Sequence, residues 1–368
     1  MNDDQTHFTD IRDLQLSNNQ GATNVANEIE KLEEALKSAR LPQDLYDKAH
    51  LQFQRIHLAL KYGGNINQLD MIVKYTEWII SLPWNQTTED RLNIGEATKI
   101  MDQHHFGLTQ VKKRVLEYLS VLILQRQQKG IRKFHAPILF FVGLAGTGKT
   151  TFAKSIADSL GRKFARIPFG GLSSALDLRG VSKVQPEAEP GQVIKALRRI
   201  GSRNPVILLD ELDRVTDDAR GAIMGVLIEL LDPEQNDHYI DHYIDYPFDL
   251  SEVIFVATAN NTQSISTAVM DRLEVIQMPS YTDEEKIHIA KEYILPRLLE
   301  ESGLKSDVVA IDEIVWKHLA RLSGYDPGIR SVERKVEAIV RTIALRLVNG
   351  QGTQFAINEQ NAKEYIGA

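Results

Sequence analysis

The sequence predicts an α/β fold: a parallel sheet flanked by helices, with a helical segment before it and a helical lid after it. Three observations carry this prediction. Short apolar runs of strand length recur between residues 138 and 257, a glycine-rich turn joins the first of them to a helix-like stretch, and helical periodicity returns after Pro279. A length of 368 residues with 43% hydrophobic content suffices for two or three packed units, and 25% charged residues is ordinary for a globular chain.

Residues 1–23 lack periodicity and read as a flexible tail. From 24 to 84 the text is helical: Val25, Ile29, Leu32 and Leu36 fall at helical spacing, as do Leu45, Ala49, Phe53, Ile56 and Leu60, and Leu69 to Leu82 supplies a third apolar face. Arg40–Pro42 and Tyr62–Asn65 break these stripes. A polar connector, Asn85 to Arg91, leads to helices over Ile94–Gln103 and Thr109–Gln127. Ile138–Val142, Phe164–Ile167, Val206–Leu209 and Val253–Ala257 read as strands buried on both faces, because none alternates with polar residues. Helices follow over Asp283–Leu299, Asp312–Leu322 and Ile329–Leu347, then a short strand at Gln354–Ile357 and a terminal turn at Ala362–Gly367. The expected domains are therefore 24–84 (helical segment), 85–278 (α/β domain) and 279–368 (lid).

No stretch approaches the roughly 18 apolar residues of a membrane span, and the first 24 residues lack a signal-peptide core, so a cytoplasmic protein without membrane partners is expected. Absence of cysteine excludes disulfides, thiolate metal sites and cysteine nucleophiles. A net charge of −7 argues against a nucleic-acid coat.

The chemistry concentrates in Gly143-Leu-Ala-Gly146-Thr147-Gly148-Lys149-Thr150, set between a strand and the helix that begins near Thr151. Glycines let backbone N–H groups turn inward around phosphates, a lysine reaches the β and γ phosphates, and the Thr150 hydroxyl is a ligand for Mg²⁺; Thr147 and Thr151 complete the loop. ATP with Mg²⁺ is the expected ligand. The run Val206-Ile-Leu-Leu-Asp210-Glu211 ends a strand in two acids, with Asp210 placed to help hold Mg²⁺ and Glu211 to deprotonate an attacking water. Asn260 follows the last strand, where a polar residue is also simply a turn former. His238 and His242 stand four apart, yet no further ligand set accompanies them, and the basic stretches 126–133 and 330–335 are most simply solvated helix faces.

At this point the chain resembles the ATPase portion of the Lon family of ATP-dependent proteases, in the AAA+ class of P-loop NTPases. Ser81-Leu-Pro-Trp84, His105-Phe-Gly-Leu108, Leu231-Asp-Pro-Glu-Gln-Asn236, Met270-Asp-Arg-Leu-Glu-Val275 and Gly328-Ile-Arg330 carry the resemblance, which runs from about Asn24 to Ala368. It implies that Asn260 positions the attacking water, that Arg330 contacts the γ phosphate from the lid, that Arg272 is an arginine finger entering a neighbouring subunit's site, and that His105 and Phe106 pack near the adenine. It further implies a homo-oligomeric ring, usually a hexamer, acting on protein substrates, with or without a peptidase on another chain. Three departures qualify it. No residues remain for the family's peptidase domain, so no peptide-bond cleavage is expected, and only a short tail stands where a substrate-engaging domain would be. Between Gly170 and Gly191 the aromatic and aliphatic positions of the family's pore loop become Gln185 and Pro186, followed by Glu187 and Glu189. The rewritten loop favours a naturally peptidase-free relative over an excised fragment, and it weakens the expectation of threading relative to a nucleotide-dependent regulatory module.

Overall fold

The computed structural model describes residues 29–62, 69–127, 137–321, 326 and 328–366. The predicted tail, most of the Tyr62–Asn65 break and most of the basic stretch 126–133 lie outside them. The chain packs as two compact units, each considered by itself.

The larger unit holds a five-stranded parallel sheet. Its strands are β1 (Ile138–Val142), β2 (Phe164–Pro168), β3 (Val206–Asp210), β4 (Ile254–Ala259) and β5 (Leu273–Gln277), in the spatial order β2-β3-β4-β1-β5. Register is set by pairs such as Leu139 with Val256, Ala165 with Ile207, and Phe140 with Val275. The three inner strands are buried at every position, which explains their unbroken apolar text. The edge strand β2 alternates instead between buried and more accessible positions, and β5 is buried only at Leu273 and Ile276. For that reason β5, with Glu274 and Gln277 among its residues, is absent from the sequence expectation. Phe152, Ile156 and Leu160 of the helix Lys149–Leu160 join Leu139, Val256 and residues of the helices Ile94–His104 and Thr109–Gln127 in one core. Burying each such large side chain contributes about 1.5–3 kcal/mol. Asn93 starts the helix Ile94–His104 by accepting from the amides of Gly95 and Glu96, and Gly161, in the left-handed region, ends Lys149–Leu160.

The predicted lid helix over Asp283–Leu299 is three segments: Asp283–Ile289, a π-helical turn Ala290–Ile294, and Leu295–Glu301. Pro296 cannot donate to a carbonyl one turn back, and a wider turn ahead of it relieves the mismatch. A capping box between Thr282 and Glu285 opens the first segment. These segments pack with Glu313–Arg321 and Arg330–Val348 around Trp316, Leu319, Val336 and Ile339. Phe355–Ile357 pairs in parallel with Val309–Ile311, a partner too short to stand out in the sequence, and the C-terminal turn is a helix, Ala362–Ile366.

The smaller unit combines the described residues up to Thr87 with Leu176–Arg203 and Asp237–Leu250. The N-terminal helices thus share a unit with two stretches that the sequence reading assigns to the α/β domain. Asp241, fully buried, accepts from the amides of Gly191, Tyr243 and Ile244 at 2.7, 2.8 and 3.1 Å, and burial raises its carboxyl above the ordinary range. A Cβ on Gly191 would lie 1.8 Å from the Leu178 carbonyl oxygen, so only glycine fits where this stretch closes. Between them the tip at Val184, Gln185, Pro186 and Glu187 is exposed, Val184 at 73%.

Candidate functional site

The site grows from the turn after β1. Gly146 and Gly148 sit at φ 82° and 94°, which only glycine adopts without strain, and the turn delivers Lys149 to the first position of its helix. The Lys149 side chain does not extend into solvent. Its Nζ donates to the carbonyls of Gly143 and Leu144 at 2.5 and 2.9 Å and to Asn260 Oδ1 at 3.1 Å. All three acceptors are uncharged. Desolvation lowers the amine's pKa, against the pull of Asp213, Asp210 and Glu211. A buried cation held by neutral oxygens is a fit for a polyanion.

A cavity of about 330 Å³ opens over this turn, within the usual size range for a small-molecule site. Gly146, Gly148, Lys149, Thr150 and Thr151 line it, as do Asp210, Glu211, Asn260 and Arg330. Gly143 and Thr147 do not. Gly143 is pressed against Met278, whose carbonyl oxygen would lie 2.7 Å from an added Cβ, and the Thr147 hydroxyl donates to the Leu144 carbonyl at 2.9 Å. Both shape the turn from behind.

Asp210 ends β3 with both oxygens engaged: Thr258 donates to Oδ1, and Arg166 Nε donates to Oδ2 at 2.6 Å. Glu211 follows at φ 60°, ψ 54°, a left-handed conformation costing a non-glycine residue about 1–2 kcal/mol. Its amide donates to Thr258 Oγ1 at 2.9 Å, so one hydroxyl fixes both acids. The backbone reversal leaves Glu211 in the cavity wall rather than continuing the strand. Thr258 and Arg166 were missed by the sequence reading; the available signal was a lone hydroxyl and a lone cation within apolar strands. The oxygen donors Thr150 and Asp210 match the preference of Mg²⁺ for hard ligands and so fit the expected ion.

The lid closes the other wall. Gly328 packs so tightly on the turn that a Cβ would lie 2.5 Å from the Ala145 carbonyl oxygen, and the Ile329 amide donates to the Gly146 carbonyl at 3.1 Å. This contact sets Arg330, first residue of its helix, at the cavity. Tyr281, Tyr293, Ile294, Arg297 and Glu333 join it, none of them foreseen, because each reads in the sequence as an ordinary position on a helical or loop surface.

His105 and Phe106 also line the cavity. His105 stacks on Phe152 at 3.7 Å and shares a 2.9 Å hydrogen bond with the Ser155 hydroxyl; burial, aided by His104 and Lys112, pushes its pKa down to about 3, so the ring is neutral. Phe106 meets the His288 ring at 3.9 Å. Arg272 stands apart from this cavity, donating to the Ala268 carbonyl at 2.8 Å and to Asp232 Oδ2 at 2.9 Å. His238 pairs with Asp237 at 2.7 Å, and among the described residues no group of three or more side chains is arranged to hold a metal through histidine, cysteine and carboxylates alone. No helix among the described residues is long and apolar enough to cross a membrane.

Comparison with known proteins gives this geometry its family context. Residues 139–281 match the family described as "ATPase family associated with various cellular activities (AAA)". The chain is 39% identical over 346 residues to a Lon protease of Lawsonia intracellularis, an overlap of 94% of this chain and 41% of that protein. It is also 39% identical over 341 residues to Lon proteases of Trichlorobacter lovleyi and Dictyoglomus thermophilum, covering 93% and 92% of this chain and 41% and 42% of theirs. The chain thus spans about two-fifths of the length of these relatives. With its parallel sheet, glycine-rich turn and helical lid, the chain has the AAA+ P-loop NTPase fold and is homologous to the AAA+ portion of Lon proteases.

Proposed function

We propose that the chain is an ATP hydrolase that works as a homo-oligomeric ring, a hexamer, and couples turnover to the remodelling, unfolding or delivery of protein substrates. The observation that carries this reading is the convergence of Lys149, Asp210, Glu211, Asn260 and Arg330 on one cavity. In the proposed reaction Lys149 neutralises the β and γ phosphates, and the backbone of residues 146–151 cradles them. Thr150 and Asp210 would hold Mg²⁺, which supplies charge neutralisation on the phosphate oxygens. Glu211 takes a proton from water as the water oxygen bonds to the γ phosphorus and the bridging P–O bond breaks toward ADP. Asn260 orients that water, Arg330 binds the γ phosphate from the lid, and His105 with Phe106 bounds the adenine. Arg272 serves a neighbouring copy, consistent with its separation from the cavity of its own chain.

One observation favours a second reading, a nucleotide-dependent regulatory module that does not thread substrate. The exposed tip at 184–187 presents Gln185, Pro186 and Glu187 beside a single aliphatic, Val184, and such a tip grips an arbitrary polypeptide poorly compared with an aromatic. The readings separate when ATP turnover is measured with and without a generic unfolded protein, with Glu211→Gln as blank. Stimulation supports the remodelling enzyme; turnover indifferent to unfolded protein supports the regulatory module.

A further inference from the structure

Arg166 lines the cavity and has no role in the proposed reaction. It projects from the edge strand β2, and register pairs it with Leu208 on β3, two residues before Asp210. Its side chain is 51% exposed, while that of Asp210 is 4% exposed, so a half-solvated cation reaches a buried carboxylate. The bond is short, 2.6 Å from Nε to Oδ2, and it occupies the oxygen that the Thr258 hydroxyl leaves open. Each oxygen of Asp210 therefore already accepts a hydrogen bond in this arrangement, and Asp210 is the acid expected to help hold the divalent cation.

We propose that Arg166 is a positioning residue that competes with the divalent cation for Asp210. In the nucleotide-free site it neutralises the buried carboxylate, which would otherwise be a desolvated charge beside Glu211. When nucleotide arrives with its metal ion, the positive charge of the guanidinium at Oδ2 opposes a second cation there, and the guanidinium gives way. Its exposed half allows this at small cost, because it swings toward water inside the same cavity. The metal requirement of nucleotide binding is thereby raised by the strength of one charge-assisted hydrogen bond. This inference rests on the assignment of the cavity as the Mg²⁺-ATP site.

The test is the Mg²⁺ concentration that gives half-maximal binding of a fluorescent ADP analogue to the full chain, read by fluorescence rather than turnover. Arg166→Gln is expected to lower that concentration roughly five- to tenfold, the scale of a charge-assisted bond discounted for exposure. Arg166→Met, which cannot itself bond Asp210, should show the same shift, and Arg166→Lys should stay within about twofold of the parent. Thermal unfolding midpoints verify that the half-exposed substitutions leave the fold intact. An unchanged or higher Mg²⁺ requirement in both neutral variants would overturn the role of Arg166 while leaving the site assignment standing. Absence of Mg²⁺-dependent binding in the parent chain would overturn both.

Discussion

Lys149 makes its three hydrogen bonds to uncharged oxygens, so a phosphate chain would be its first directly bonded anion. Exchanging a carbonyl for a phosphate oxygen sets the ammonium against an anion rather than a dipole, and a hydrogen bond to a charged group is worth about 1.5–3 kcal/mol. Lys149→Ala should therefore weaken ATP binding by about tenfold or more in an equilibrium titration, with the chain still folded; unchanged affinity would remove the cavity from consideration. Glu211 illustrates a different economy. Its left-handed backbone is an unfavourable state held by Thr258, and such strain is retained where it aims a side chain. The residues with a motif around them, Lys149, Thr150, Asp210 and Glu211, were legible in the sequence because phosphate chemistry restricts both type and spacing. Thr258, Arg166 and Tyr293 were not legible. Their roles depend on which strand neighbours which and on how a helix turns, and neither is written locally.

Among the elements, the inner strands announce themselves because burial on both faces demands apolar residues throughout. β5 was hidden by the same physics, since an edge strand needs only one apolar face and Glu274 and Gln277 break the run. The lid was read as one helix where three segments exist, because the apolar stripe continues through a π-turn that changes backbone bonding without changing composition. Its seat on the phosphate turn depends on Gly328, whose missing Cβ admits the Ala145 carbonyl and the Gly146 backbone. Gly328→Ala should lower the unfolding midpoint, with a stability loss of about 1–3 kcal/mol, and weaken nucleotide binding by displacing Arg330. A variant with parental midpoint and affinity would mean that this lid contact matters neither for stability nor for the site.

At the scale of the whole molecule, the described residues contain every element of the proposed reaction except the one that a neighbour would supply. Arg272 lies outside the cavity and is held by Asp232, in a partly exposed pair worth little to stability. In an assembled ring, Arg272→Ala should leave nucleotide affinity within about twofold and reduce turnover by roughly 10³ or more, the range associated with arginine fingers. Turnover unaffected in a verified ring would place the trans-acting cation elsewhere or dispense with it. Which surfaces would meet in the proposed ring was not legible from sequence patterning, because a face that packs on a partner looks like any other mixed surface.

Steady-state ATP turnover of the parent chain beside Glu211→Gln decides whether ATP is hydrolysed at this cavity with Glu211 as base. The parent is expected to turn over ATP and the variant to do so at least about 100-fold more slowly, with nucleotide binding retained. Equal rates in the two proteins would contradict that role for Glu211.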